Sequence, residues 1–283
     1  MTLRPDDRRF IVELMRRQAG LAMDDAAQHL IDNRIAIVAA RHRQADAELV
    51  TRLRFNNDPG LLHEVIDALC THETSFFRDG HPFDTLATTV LPDLAALRRE
   101  RRTLTVWCAA CSTGQEVWST AITIRERVDD LQGWTIRILA TDVSQAMVDR
   151  TRAGTYTDQE LARGMPERWK ARYFTRAGDR WQARADLRAM VEVTRANLLD
   201  PAPSARRFDL IMARNVLIYF DAAGKRRAMD AIFGAQASDG ALLVGTGENL
   251  IDPRYEARPS GRTVVYRPRG ATRSAALSPT ESL

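Results

Sequence analysis

An apolar run, Leu104-Thr105-Val106-Trp107-Cys108, passes directly into six small residues, Ala109 to Gly114, and then into helix-like sequence near Glu116. This junction constrains the chain most, because small side chains let backbone approach a ligand while the first amides of the next helix point at it. The same texture repeats downstream. Apolar runs at Thr135–Ala140, Met190–Thr194, Phe208–Met212 and Ala241–Gly245 alternate with helical stretches at Glu116–Val128, Ser144–Arg152 and Ala222–Gln236. Such alternation predicts an α/β fold with a mostly parallel sheet covered on both faces. Ligands are then expected at the carboxyl ends of the strands.

Upstream the pattern is all-helical. Phe10, Ile11, Leu14 and Met15, then Leu30, Ile31, Ile35, Ile37 and Val38, recur at helical spacing. A further helix is expected from Asp46 through Phe55, and the turn Asn56-Asn57-Asp58-Pro59 leads into another over Leu61–Leu69. A helix over Phe83–Arg99 joins this unit to the α/β part. Between Thr157 and Arg188 lies an insert in which Arg172-Tyr173-Phe174 and Trp181-Gln182-Ala183 flank Gly178-Asp179 as a β-hairpin. Tyr255–Ala257 and Arg262–Tyr266 read as a final strand pair. The expected division is a helical unit over 1–70, a linker over 71–99, an α/β unit over 100–269 with a β insert at about 172–193, and a disordered tail over 270–283.

The chain of 283 residues, 45% hydrophobic and 28% charged, has enough material for one large core or two smaller ones. No stretch approaches the roughly 20 apolar residues that cross a bilayer, and the N-terminus lacks a signal-peptide core, so a cytoplasmic protein without membrane insertion is expected. Three cysteines in a chain this long argue against a disulfide framework. The net charge of +4 is compatible with an acidic partner or with none. Nearly all of the positive charge is arginine, with lysine only at Lys170 and Lys225.

The junction loop also discriminates between cofactors. A dinucleotide site needs Gly-x-Gly-x-x-Gly, but only Gly114 is present, and Glu116 would set a carboxylate where a phosphate must sit. S-adenosylmethionine has an amino-acid end and a sulfonium and no phosphate, so the loop favours it over a nicotinamide dinucleotide. Taken alone, the loop is equally an ordinary tight turn. Asp142, after the second strand, is placed to accept from ribose hydroxyls, or to cap the next helix in competition with Ser144. Cys108-Ala109-Ala110-Cys111 has metal-ligand spacing, yet zinc needs about four ligands and there is no second cysteine pair, so no metal site is expected.

Three further segments make the reading specific: Thr71-His72-Glu73-Thr74-Ser75-Phe76-Phe77-Arg78-Asp79, Asn197-Leu198-Leu199-Asp200 and Ala213-Arg214-Asn215-Val216-Leu217-Ile218-Tyr219-Phe220-Asp221. With Ser112-Thr113-Gly114-Gln115-Glu116 and Ala140-Thr141-Asp142, the chain resembles, over almost its whole length, the chemoreceptor glutamate O-methyltransferases of bacterial chemotaxis, the CheR family. The resemblance implies a Rossmann-like domain for S-adenosylmethionine-dependent methyl transfer with a small β insert, preceded by an all-α N-terminal domain. It implies a cofactor site of Thr74, Arg78 and Glu116, with Asp142 on the ribose, Asn197 and Leu198 near the adenine, and Asn215 and Val216 toward the methionine end. Tyr219 then faces the transferred methyl, and Arg78 and Tyr219 are the catalytic candidates. His72 stands where the family commonly has Asn, as a substituted wall of the cofactor site, and Val117 and Trp118 stand where it often has Pro and Tyr. Phe76 and Phe77 are expected in interdomain packing. The implied partner is the cytoplasmic helical bundle of a chemoreceptor, steered by Arg41, Arg43, Arg52 and Arg54. A receptor C-terminal peptide is the implied guest of the β insert within Tyr173–Val193.

The chemistry fits the residues. A glutamate side chain, with a reference pKa of about 4.3, is already a carboxylate near neutral pH and needs no general base. Transfer from a sulfonium annihilates charge, so a dry site that positions the carboxylate is the main requirement. Two rival functions remain ahead of a third, a nicotinamide dehydrogenase, which tight S-adenosylmethionine binding without dinucleotide binding would exclude. One is a non-catalytic protein that binds S-adenosylmethionine or a receptor. The other is a nucleic-acid methyltransferase, disfavoured because Asn215 to Tyr219 lacks the prolines of an Asn-Pro-Pro-Tyr motif, so no nucleic-acid partner is expected.

Overall fold

The computed structural model describes residues 3–23, 27–56, 58–126, 131 and 133–270. Helix α1 (Pro5–Ala19) starts on a proline whose fixed φ suits the first turn, carries Asp6 and Asp7 early and Arg16 and Arg17 late, and stops at Gly20, where φ is 70°. Helices α2 (Gln28–Arg41), α3 (Asp46–Phe55) and α4 (Pro59–Leu69) follow. Ile11, Met15, Ile31, Ile35, Leu49 and Val65 meet at helical spacing in a core of their own. Asp58 caps α4 by accepting from the Leu61 amide at 3.0 Å.

The expected Phe83–Arg99 helix is interrupted. Helix α5 (His81–Thr85) passes through a π turn (Leu86–Val90) into α6 (Leu91–Leu97). Pro92, in the first turn of α6, has no N–H to give and its ring crowds the carbonyl four residues back, and the wider π turn relieves that clash.

In chain order the strands are β1 (Thr103–Ala109), β2 (Thr135–Asp142), β3 (Thr155–Tyr156), β4 (Phe174–Ala177), β5 (Arg180–Ala183), β6 (Val191–Arg195), β7 (Phe208–Ala213), β8 (Gln236–Val244), β9 (Tyr255–Ser260) and β10 (Thr263–Pro268). Seven of them form one sheet in the order β6-β2-β1-β7-β8-β10-β9, parallel from β6 to β8 and antiparallel where β10 pairs with β8 and β9. Along β1 the pleat sends Leu104, Val106 and Cys108 to one core and Trp107 and Ala109 to the other. Helices α7 (Gln115–Arg125) and α8 (Gln145–Ala153) lie downstream of β1 and β2.

The chain builds outward from β1 to β2 and β6, then returns to β7 on the other side. That reversal leaves a crevice outside the carboxyl ends of β1 and β7. The smaller sheet, β3-β5-β4, contains the expected hairpin, turned at Gly178 with φ 63°, plus the short strand β3. Short helices α9 (Asp158–Ala162), α10 (Glu167–Tyr173) and α11 (Ala185–Arg188) surround it.

Helix α12 (Ala222–Ala235) runs into β8 with no loop, so β8 begins at Gln236, five residues before the expected Ala241. The extra length, Gln236-Ala237-Ser238-Asp239-Gly240, is polar and carries no apolar signal. Among the described residues no helix is long and apolar enough to cross a membrane. Asn57, the predicted helix end at Val128, and the tail over 271–283 lie outside the described residues.

Candidate active site

A cavity of about 270 Å³ opens at the carboxyl ends of β1, β2, β6 and β7. Every residue expected in the cofactor or catalytic site lines it: His72, Thr74, Arg78, Glu116, Asp142, Asn197, Leu198, Asn215, Val216 and Tyr219.

The β1 loop is shaped by left-handed backbone. Ala110 and Ser112 have φ of 56° and 50°, and Gly114, the residue just before α7, has φ 93°. Glycine is required at 114, since a Cβ there would lie 2.8 Å from the Tyr156 hydroxyl and 2.9 Å from that of Thr151. At the two non-glycine positions this conformation costs about 1–2 kcal/mol each, and specific bonds hold it. The Ser112 amide donates to Asp142 Oδ2 at 2.8 Å, the Ser112 hydroxyl donates to the His72 carbonyl at 2.9 Å, and Thr151 Oγ1 donates to the Ser112 carbonyl at 2.9 Å. Asp142 also accepts from the Ser144 amide through Oδ1 at 3.0 Å, while Ser144 itself caps α8. Each Asp142 oxygen keeps a lone pair to offer a ligand hydroxyl. Burial raises the Asp142 pKa above the usual carboxylate value, against the two amides and the nearby His72, which lower it.

Opposite lies a charged network absent from the sequence reading. Arg214, 5% exposed, donates to Glu116 Oε2 at 3.0 Å, to Asp79 Oδ2 at 2.8 Å and to the Arg78 carbonyl at 2.9 Å, while its Nε stays buried without a partner. Burial raises the Glu116 pKa, and the Arg214 charge and hydrogen bond oppose it. Arg214 thus fixes the backbone that presents Arg78, whose guanidinium donates to the Glu73 carbonyl at 3.1 Å. The linker is pinned by its aromatic rings as well. Phe76 packs edge-on against Tyr156 and Phe174, and Phe77 lies between Phe83 and Trp169, so both belong to the core of the α/β unit and not to the expected packing between units.

A second missed residue is Glu248. Its Oε2 accepts from the amides of Asn215 and Gly245 at 2.7 and 2.6 Å, and its Oε1 accepts from the Ile218 amide at 3.1 Å. The carboxylate therefore staples the turn from Asn215, at φ 57°, to the short 3₁₀ helix Leu217–Tyr219 that carries Tyr219. Gly245 has no room for a Cβ, which would meet the Asn215 side-chain nitrogen at 2.6 Å.

Asn197 is used for architecture as well as lining. Its Nδ2 donates to the Gln18 carbonyl at 2.6 Å and its Oδ1 accepts from the Leu199 amide at 3.1 Å. It thereby ties the β6 loop to α1, whose following residues Leu21, Ala22 and Met23 also line the cavity. The Ala22 amide donates to the Tyr219 carbonyl at 2.8 Å. The signal for Arg214 was present, since it sits inside the motif quoted for Asn215 and Tyr219. Glu248 follows the fifth parallel strand in Gly245-Thr246-Gly247-Glu248, a position that periodicity does not mark.

Cys108 and Cys111 are buried, and burial pushes both thiols well up, so they act as small packing groups. No group of His, Cys, Asp or Glu among the described residues has the makings of a metal site.

The cavity has a buried carboxylate for hydroxyls at Asp142, apolar walls at Val143 and Leu198, and a second, partly buried carboxylate, Glu116, paired with Arg214. Those groups suit a nucleoside with a cationic amino-acid tail and leave no cradle for pyrophosphate. The CheR methyltransferase, SAM binding domain family model matches residues 72–264. The chain belongs to the CheR methyltransferase family. This CheR methyltransferase is 34% identical to Chemotaxis protein methyltransferase 1 of Pseudomonas aeruginosa, over 89% of this chain and 94% of that one. It is 30% identical to the Chemotaxis protein methyltransferase of Vibrio parahaemolyticus, over 94% and 98%, and 32% identical to Chemotaxis protein methyltransferase Cher2 of Pseudomonas putida, over 89% and 94%. It is an S-adenosylmethionine-dependent methyltransferase of the chemotaxis type.

Proposed function

We propose that this CheR methyltransferase esterifies glutamate side chains on the cytoplasmic helical bundle of chemoreceptors. The observation that carries the reading is the convergence of Arg78 and Tyr219 on the same cavity as Asp142 and Glu116. Asp142 holds the ribose hydroxyls, Leu198 and Val143 flank the adenine, and Glu116, kept in place by Arg214, takes the amino group. Bound S-adenosylmethionine supplies an electrophilic methyl on a sulfonium. Arg78 orients the incoming carboxylate, which is ionised near neutral pH and requires no base. Tyr219 offers its ring and hydroxyl beside the reacting centre, and that hydroxyl has no protein hydrogen bond among the described residues.

We read the chain as a helical unit over 1–70, a linker over 71–99 and a methyltransferase unit over 100–269. The exposed strand β4 in the small sheet presents an edge to which a receptor C-terminal peptide adds by strand pairing.

The test is transfer of labelled methyl from S-adenosylmethionine to a purified receptor cytoplasmic fragment, followed by alkali. A carboxyl ester releases its label as methanol. Label that survives alkali, or no label on the receptor, contradicts the proposal.

A further inference from the structure

The turn that carries Tyr219 has an outward side. Ile218 is 50% exposed and Ile251 90% exposed, and both line a groove of about 320 Å³ floored by Leu217, Met229 and Val244. Large exposed apolar residues clustered in one groove mark a surface that another molecule covers. The groove lies beside the turn that carries Tyr219, since Ile218 and Tyr219 are consecutive in one 3₁₀ turn.

Its charge is equally specific. Lys225 and Arg226 are exposed at this groove, and neither has an ion pair among the described residues. Their neighbours are paired: Arg227 lies 3.6 Å from Asp200, and Arg254 bridges Asp252 and Asp230 at 2.6 and 2.7 Å. Both free cations sit near the start of α12, which has no acidic residue in its first turn, so the helix dipole opposes them. The acidic side chains at the groove are committed, Glu248 to three backbone amides and Asp252 to Arg254. The charge left to meet a partner is positive.

We infer that this groove docks a helix of the protein substrate, an amphipathic acidic α-helix. Its apolar stripe lies on Ile218, Ile251 and the groove floor, and its acidic flank meets Lys225 and Arg226. The docked helix then lies beside the turn that carries Tyr219. The inference rests on the proposed function and adds the surface that selects the substrate.

The chain offers a direct reporter, because Lys225 is one of only two lysines. The other, Lys170, is in the small sheet's neighbourhood, over the Trp181 ring and 3.2 Å from Asp158. The experiment uses the full chain and a purified cytoplasmic fragment of a methyl-accepting chemoreceptor, with wild type, the double variant K225E/R226E and I251S. Methyl transfer gives kcat and KM for the fragment, calorimetry gives the Kd of S-adenosylhomocysteine, and amine acetylation read by mass spectrometry gives lysine protection.

The expected result is a KM raised about tenfold or more by K225E/R226E and severalfold by I251S, with kcat and the S-adenosylhomocysteine Kd within about twofold of wild type. Lys225 is protected by the fragment and Lys170 is not. Methylation with unchanged KM in both variants, or equal reactivity of Lys225 with and without fragment, overturns the docking surface and leaves the proposed function standing. Failure of the wild type to methylate the fragment overturns the function reading and this inference with it.

Discussion

Glu116 and Asp142 are held in the cavity at the expense of the ligand-free fold. Burial is the main influence on both, and it raises both pKa values above the ordinary carboxylate range. The folded state therefore binds these protons more tightly than the unfolded chain does. The ligand-free protein gains stability from the pair as pH falls through the raised values, and loses it as pH rises through them. Cofactor binding runs the other way, because both groups act as carboxylates. The affinity for S-adenosylhomocysteine should accordingly decline on acidification, beginning above the usual carboxylate value of about 4. Calorimetry at several pH values checks this, and a flat profile contradicts it. Glu116→Gln keeps an acceptor for Arg214 but removes the charge, so S-adenosylhomocysteine should bind about tenfold more weakly or worse. Arg78→Ala should lower methyl transfer about 10²-fold with S-adenosylhomocysteine affinity changed by no more than about threefold. Equal losses in both would move Arg78 from orienting the substrate to holding the cofactor.

Between elements, single carboxylates do the joining. Asp209 on β7 is fully buried and accepts from Arg98 at 2.7 Å, from Arg101, and from the amide of Thr105 on β1 at 2.8 Å. Asp209→Ala strands those partners and should destabilise the protein by about 3–5 kcal/mol in denaturant unfolding. A loss under about 1 kcal/mol would show that water replaces the carboxylate there. Glu248 joins the ends of β7 and β8 through three amides, so Glu248→Gln, which can accept but presents an NH₂ to one of those donors, should lower kcat more than it weakens S-adenosylhomocysteine binding. Equal effects on the two would contradict a role in placing Tyr219. The elements themselves were largely legible, because β1 and β7 and the second half of β2 are apolar runs, β6 alternates, and α1 to α4 keep helical period. The first half of β8 was not, since it is polar and is a strand only through pairing with its neighbours, and neither was the π turn, which answers to Pro92 and has no periodic signature.

At the scale of the molecule, the helical unit completes the site. Gln18 accepts from Asn197, the Ala22 amide donates to the Tyr219 carbonyl, and Leu21 pairs with Phe220, so α1 and its exit close one wall of the cavity. Gly20 allows this approach, since a Cβ there would press on Leu199 at 3.0 Å from a backbone of φ 70°. The two carboxylates were readable in the sequence because Asp142 ends β2 and Glu116 opens the helix after the β1 loop. Glu248 was not, because periodicity does not mark its position, and Arg214 stood inside a quoted motif while its role comes from partners about 100 residues or more away in the chain. The residues from 71 to 79 became legible only through the family they resemble. The central claim is that these distant pieces form one cofactor pocket. Calorimetric titration of S-adenosylhomocysteine into wild type and Asp142→Ala tests it most directly. The account predicts one-to-one binding by the wild type and an affinity at least about tenfold lower in the variant. No binding by the wild type, or equal affinity in the two proteins, would contradict it.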